Sequence, residues 1–189
     1  MRIAIILLLA LAACGPRRAT LPNGRPRYVA LADGTVRDDR TGLVWSGDGG
    51  LAAAGLSWDE ARTFVAAMNK GARPNLGHTD WRLPTVGELS VLFDGFWARR
   101  SRLGCVFSGE KAGCVERLPS DPFVGLSSEA YWSSTAPQND TNRVYAVGMG
   151  VAPMNATRTE RHGVLTVRGA PQAAYEGKSP LLPRAPLAP

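Results

Sequence analysis

At two places just ahead of an apolar periodic run in this chain of 189 residues, a hydroxyl side chain is followed three positions later by glutamate, as Ser57-x-x-Glu60 and as Thr85-x-x-Glu88. At that spacing the hydroxyl accepts from the third helical N–H while the carboxylate reaches back to the capping residue's own N–H, so each pair marks the first turn of a helix. After Ser57, the residues Trp58, Ala61, Val65 and Met68 recur at helical spacing, and after Thr85 so do Val86, Leu89, Phe93 and Phe96. Pro84 stands just ahead of the second cap. Two amphipathic helices are expected, and the aromatic and methionine stripe of the first reads as core.

The remaining segments have strand character. "GTVRDDRTGLVWS" holds a turn between two β-prone runs and predicts a hairpin. "AYWSSTA", "NRVYAVGMGVAPMN" and "HGVLTVRGA" are rich in β-branched and aromatic residues. Two helices with several short antiparallel strands predict an α+β domain. Hydrophobic residues make up 44% of the chain, enough for one compact domain with tails.

The ends read differently. "MRIAIILLLALAACG" has one basic residue, a short apolar run and small residues before Cys14. That run is too short to span a bilayer and has the layout of a cleaved export signal over residues 1–13. Leu11-Ala12-Ala13-Cys14 is similar to the bacterial lipobox, which implies acylation of Cys14, and Gly15 where retention signals carry Asp implies an outer-membrane destination. Several acyl chains on one residue anchor stably. Residues 14–32, rich in Pro, Arg and Gly, predict a flexible tether whose Arg17, Arg18, Arg25 and Arg27 either rest on anionic head groups or are simply solvated. Residues 170–189 hold a dense run of prolines and predict a disordered tail. The folded unit is then 33–169. In an oxidising compartment Cys105 and Cys114, the remaining cysteines, are expected to form a disulfide, closing a loop of about ten residues for roughly 2 to 3 kcal/mol in the chain-entropy model.

In order along the chain stand "DGTVRDDRTGLVW", "GLSWDEARTFVAAMN", "DWRLPTVGEL", "YWSST" and "VLTVRG". Together they resemble the Lcl C-terminal domain family, named after a collagen-like bacterial adhesin, over about residues 33–169. The resemblance implies a C-type-lectin-like fold, two helices packed on small twisted antiparallel sheets with the ends of the domain close together. It also implies an adhesive function, since the founding member is associated with sulfated glycosaminoglycans. Asp80, Trp81, Arg82, Pro84, Thr85, Glu88 and Trp132 carry the fold signature. Members commonly place one cysteine where this chain has Val65 and another where it has Thr166. Their joint replacement implies that Val65 and Thr166 face each other.

The chemistry points to binding. His78, His162, Ser133 and Ser134 supply the raw material of a hydrolytic site, but no Gly-x-Ser-x-Gly elbow is present, and no catalytic residue is assigned. "PQND" is a faint echo of a lectin calcium motif, and Trp132 is followed by serines and not by Asn-Asp, so neither metal nor cofactor is expected. Formal net charge is +6, and all but Lys70, Lys111 and Lys178 of the 22 basic residues are arginine. That bias suits anionic partners or reflects codon composition. Nucleic acid is not expected, since an exported chain without a recognition motif would not meet it. The polar loops offer Gln138, Asn139, Asp140, Asn142 and Arg143 in one segment and Asn155, Arg158 and Arg161 in another. If they share a side they form a ligand site for hydroxyls or sulfates, and otherwise they are ordinary turns. The expected protein is a non-enzymatic, lipid-anchored envelope lipoprotein that binds a ligand such as a sulfated or acidic glycan. The alternatives are a structural or accessory subunit that recognises another envelope protein, and a protein displaying variable loops.

Overall fold

A computed structural model of the chain describes residues 23, 26–93, 122–126, 129–148 and 152–171. The expected signal segment, Cys14, the Cys105–Cys114 pair, the arginines at 99, 100 and 102 and nearly all of the expected tail lie outside the described residues. The domain has two small antiparallel sheets and two helices. The strands are β1 (Tyr28–Ala30), β2 (Thr35–Asp38), β3 (Val44–Ser46), β4 (Tyr131–Trp132), β5 (Arg143–Val147), β6 (Met154–Thr157) and β7 (Val167–Arg168). Helix α1 spans Trp58–Asn69, and α2 begins at residue 86 and is described through 93.

Both caps form as the spacing predicts. Ser57 Oγ accepts from Glu60 N while Glu60 accepts from Ser57 N at 2.8 Å. Thr85 and Glu88 repeat the exchange at 3.2 and 2.8 Å. The expected hairpin is β2–β3, with Arg37 opposite Val44. Its turn closes on Asp38, whose carbonyl accepts from Gly42 N at 2.8 Å, with Gly42 at a φ of 74° that a side chain would strain.

One sheet runs β1-β2-β3-β7 and the other β4-β5-β6. The second sheet separates two apolar clusters. Tyr131 and Val147 face the cluster that holds Trp45, Leu89 and Phe93, whereas Trp132, Val144 and Ala146 face the one that holds Ala61, Phe64 and Met68. Because successive strand residues point to opposite faces, α2 packs on one side of this sheet and α1 on the other. A strand covered on both faces has no solvent side to carry polar residues, which is why "VYAV" reads as a continuous apolar run. The segment before β7 is clamped against β4 by a bridge between Tyr131 and Gly163. A Cβ on Gly163 would fall 2.8 Å from the Tyr131 ring, so the contact requires glycine.

One expected boundary is corrected. The tether assigned to residues 14–32 gives way to structure by Pro26, and β1 pairs with β2 from Tyr28 opposite Asp38 to Ala30 opposite Val36. Arg27, expected either to rest on anionic head groups or to be simply solvated, is 8% exposed and binds both oxygens of Asp38, at 2.8 and 2.5 Å. A guanidinium held by a buried carboxylate is fixed in the domain, because either charge alone would be left desolvated. Tyr28 is buried beside it and meets Phe123 edge-on at 5.5 Å. Val65 and Thr166, expected to face each other, are both interior, at 6% and 0% exposure.

Candidate functional site

The β5–β6 register sets Arg143 opposite Thr157, so the polar segments on either side of this hairpin emerge together. Arg158 N donates to Asn142 O at 3.0 Å and locks one loop to the other. Arg158 O in turn accepts from Trp58 N at 3.0 Å, which ties both loops to the first turn of α1. The two sequence-predicted loops therefore share one face of the domain, and that face includes a helix end that was not assigned to it from the sequence.

Trp58 is its organising side chain. The indole N–H donates to Ser133 O at 3.0 Å, which fixes the ring against β4's continuation. The Arg158 and Arg62 guanidinium carbons lie 4.4 and 4.9 Å from the ring centroid, at cation–π distance. Arg158 also donates to Asp59 at 2.5 Å and to Thr141 O at 3.5 Å. Arg161 reaches Glu60 at 3.3 Å, and Arg143 reaches Asp140 at 3.3 Å while donating to Asn155 O at 2.9 Å. Gln138 and Asn139 are exposed at the loop tip. Asp140 accepts from Asn142 N at 2.9 Å and so shapes the turn itself.

Two carboxylates of this face, Glu60 and Glu160, have lowered pKa values. The N–H and hydroxyl of Ser57 lower the Glu60 pKa, with a smaller contribution from Arg161. The Thr157 N–H and hydroxyl do the same for Glu160, whose carboxylate also stands 3.4 Å from His162 Nε2. His162 sits edge-on to Trp132 at 4.6 Å, and Trp132, fully buried, donates its indole N–H to Leu56 O at 2.7 Å. Trp132 is thus a packing residue beneath the face.

Asp59, Arg62 and Glu160 went unassigned in the sequence. Trp58 was read as core and Glu60 as a cap. The available signal was that an aromatic residue opening a helix, followed by two acids, has a polar edge as well as an apolar one. The distance in sequence to Arg158 and Arg161, 99 and 101 residues, hid the pairing.

The signature stretch lies elsewhere and is structural. Trp81 and Leu83 are buried, Pro84 is buried with its carbonyl accepting from Ser134 N at 2.7 Å, and Arg82 forms a two-bond pair with the buried Glu88. Asp80 pairs with Arg168 at 2.8 Å. Arg168 also donates to His78 Nδ1 at 2.8 Å, and His78 Nε2 lies 3.1 Å from Asp33. Ser133 and Ser134 are not joined to either histidine among the described residues: their hydroxyls donate to Tyr145 O and Pro84 O at 2.7 and 3.2 Å. Among the described residues, no helix is long and apolar enough to cross a membrane, and no three His, Cys, Asp or Glu side chains are grouped to hold a metal ion.

Two helices on two small antiparallel sheets, with a polar face built by the β5–β6 loops and the start of α1, define an α+β domain with a surface-loop site. The chain belongs to the Lcl C-terminal domain family, whose model matches residues 34–168. The match begins after β1, so the first strand and Arg27 lie upstream of it, while Asp38, the partner of Arg27, lies within it. No curated protein matches the sequence.

Proposed function

We propose that this chain is a non-enzymatic envelope lipoprotein, anchored through Cys14 at the outer membrane, whose C-type-lectin-like domain binds a glycan and serves adhesion. The observation that supports this reading most is the Arg158 main chain, which joins the two polar loops to each other and to Trp58. Side chains that would otherwise sample many rotamers are thereby held in place before a ligand arrives, which lowers the entropic cost of binding. An indole with guanidiniums at its ring, flanked by carboxylates and exposed amides, offers the mixed donors and acceptors that polar ligands require.

A glycan array probed with the full chain, against an R143A/R158A/R161A variant, tests the proposal. Binding by the parent and its loss in a variant with unchanged circular dichroism supports it. Identical profiles would remove these loops as the site.

A further inference from the structure

We infer that the ligand of this face is an uncharged, hydroxyl-rich glycan and not a polyanion, an inference that rests on the binding reading above and narrows it. Four guanidiniums stand here, from Arg62, Arg143, Arg158 and Arg161, and each has a carboxylate within 3.9 Å. The acids facing them are Asp59, Glu60 and Asp140, and Glu160 beside His162 is the fourth carboxylate. The formal charges of the face cancel, in contrast to the basic balance of the whole chain.

A sulfated chain laid across these loops would meet as many carboxylates as guanidiniums. Attraction and repulsion at comparable distances leave no electrostatic gain for each added sulfate, and the desolvation of each is uncompensated. A sugar hydroxyl has the opposite properties. It donates one hydrogen bond and accepts others, so a pair of neighbouring hydroxyls satisfies a carboxylate with one member and a guanidinium N–H with the other. The groups are accessible for this. Asp59 and Glu60 are 64% and 53% exposed, and Arg62 and Arg161 are 60% and 59% exposed. Arg161 spends one N–H on Glu60, which leaves further donors of its fixed fork directed elsewhere.

Glu60 and Glu160, with pKa values lowered by Ser57 and Thr157, carry their charges at neutral pH as ordinary carboxylates do. The same pairs disfavour a wrong partner: an anion that approaches a guanidinium here also meets the carboxylate beside it.

The experiment is an array that carries uncharged oligosaccharides, each beside its sulfated or uronate counterpart, probed with the full chain at low and at physiological salt. Expected are brighter uncharged members, several-fold weaker signals on their charged counterparts, and little dependence on salt. D59N and D140N are each expected to weaken uncharged binding roughly two- to tenfold, the worth of one hydrogen bond. Brighter charged members, fading with salt and strengthened by either Asn variant, would overturn the inference while leaving glycan binding intact. The salt series on the unaltered chain decides this even where a variant folds poorly. Silence across the array would overturn the binding reading itself.

Discussion

Arg82 holds Glu88 by two parallel hydrogen bonds of 2.8 Å each, and the same carboxylate caps α2 through Thr85 N at 2.8 Å. Glu88 is 2% exposed, and the Arg82 guanidinium and the Thr85 N–H are among the groups that meet its charge in a largely dry setting. Two further Arg82 N–H groups bind Gly169 O at 3.0 Å and Leu83 O at 3.3 Å. One side chain thus joins the start of α2 to the end of β7.

Removal of Arg82 takes away the guanidinium that pairs with the buried Glu88 carboxylate. R82A is expected to destabilise the domain by about 3 kcal/mol or more, and R82K by less, because an ammonium cannot occupy both oxygens in the same geometry. Urea denaturation measures both. Glycan binding by the fraction that remains folded is expected to change little, since Arg82 lies away from the loop face. A variant that melts normally yet loses binding would reverse this assignment.

Asp33 provides a pH signature. The hydroxyl and N–H of Thr35 hold its pKa at about 2, from an ordinary value of 3.8, with smaller help from His78. A folded-state pKa below the unfolded one contributes stability that is present above pH 3.8 and is lost as pH falls through about 2. The stability gap between the parent and D33N should therefore be open at pH 5 and closed near pH 2. A gap that stays constant across that interval would contradict the Thr35 bonds as its source.

The His78 ring is expected in one tautomer. Arg168 can only donate, so His78 Nδ1 accepts at 2.8 Å and Nε2 carries the hydrogen directed to Asp33 at 3.1 Å. Nitrogen-15 shifts of the neutral ring should show Nε2 protonated, and R168A should let the Nδ1-protonated form appear. A neutral ring protonated at Nδ1 in the parent would break the proposed chain of contacts.

Arg158 and Asp59 form a partly exposed pair, 33% and 64%, over the Trp58 ring. Solvent screening limits its contribution, so a double-mutant cycle between R158A and D59N is expected to give a coupling below about 1 kcal/mol. A coupling of several kcal/mol would make the pair a structural clasp, not a ligand-ready contact.

What the sequence disclosed follows physical locality. Ser57 with Glu60 and Thr85 with Glu88 are contacts within one helical turn, and the β2–β3 turn closes around Asp38, so both were legible. Strand β1 was missed because Pro and Arg dominate its approach, and the reason Arg27 is buried, Asp38, stands 11 residues away on the next strand. The two candidate loops were picked out by their polarity. Their partners at the start of α1 were not, since Asp59 and Glu60 also satisfy the ordinary preference for acids near a helix N-terminus. Arg82 stood in the fold signature, but its internal pair was hidden because Glu88 was already accounted for as a cap. A carboxylate has lone pairs for both roles.

Chemical-shift mapping of the isotope-labelled chain with the brightest array glycan at saturation tests the binding face most directly. The account predicts perturbations confined to residues 57–62, 138–143 and 155–161, with the Trp58 indole N–H and the Arg158 side chain among the largest. Perturbations centred on the β1-β2-β3-β7 sheet, with those three segments unmoved, would contradict it.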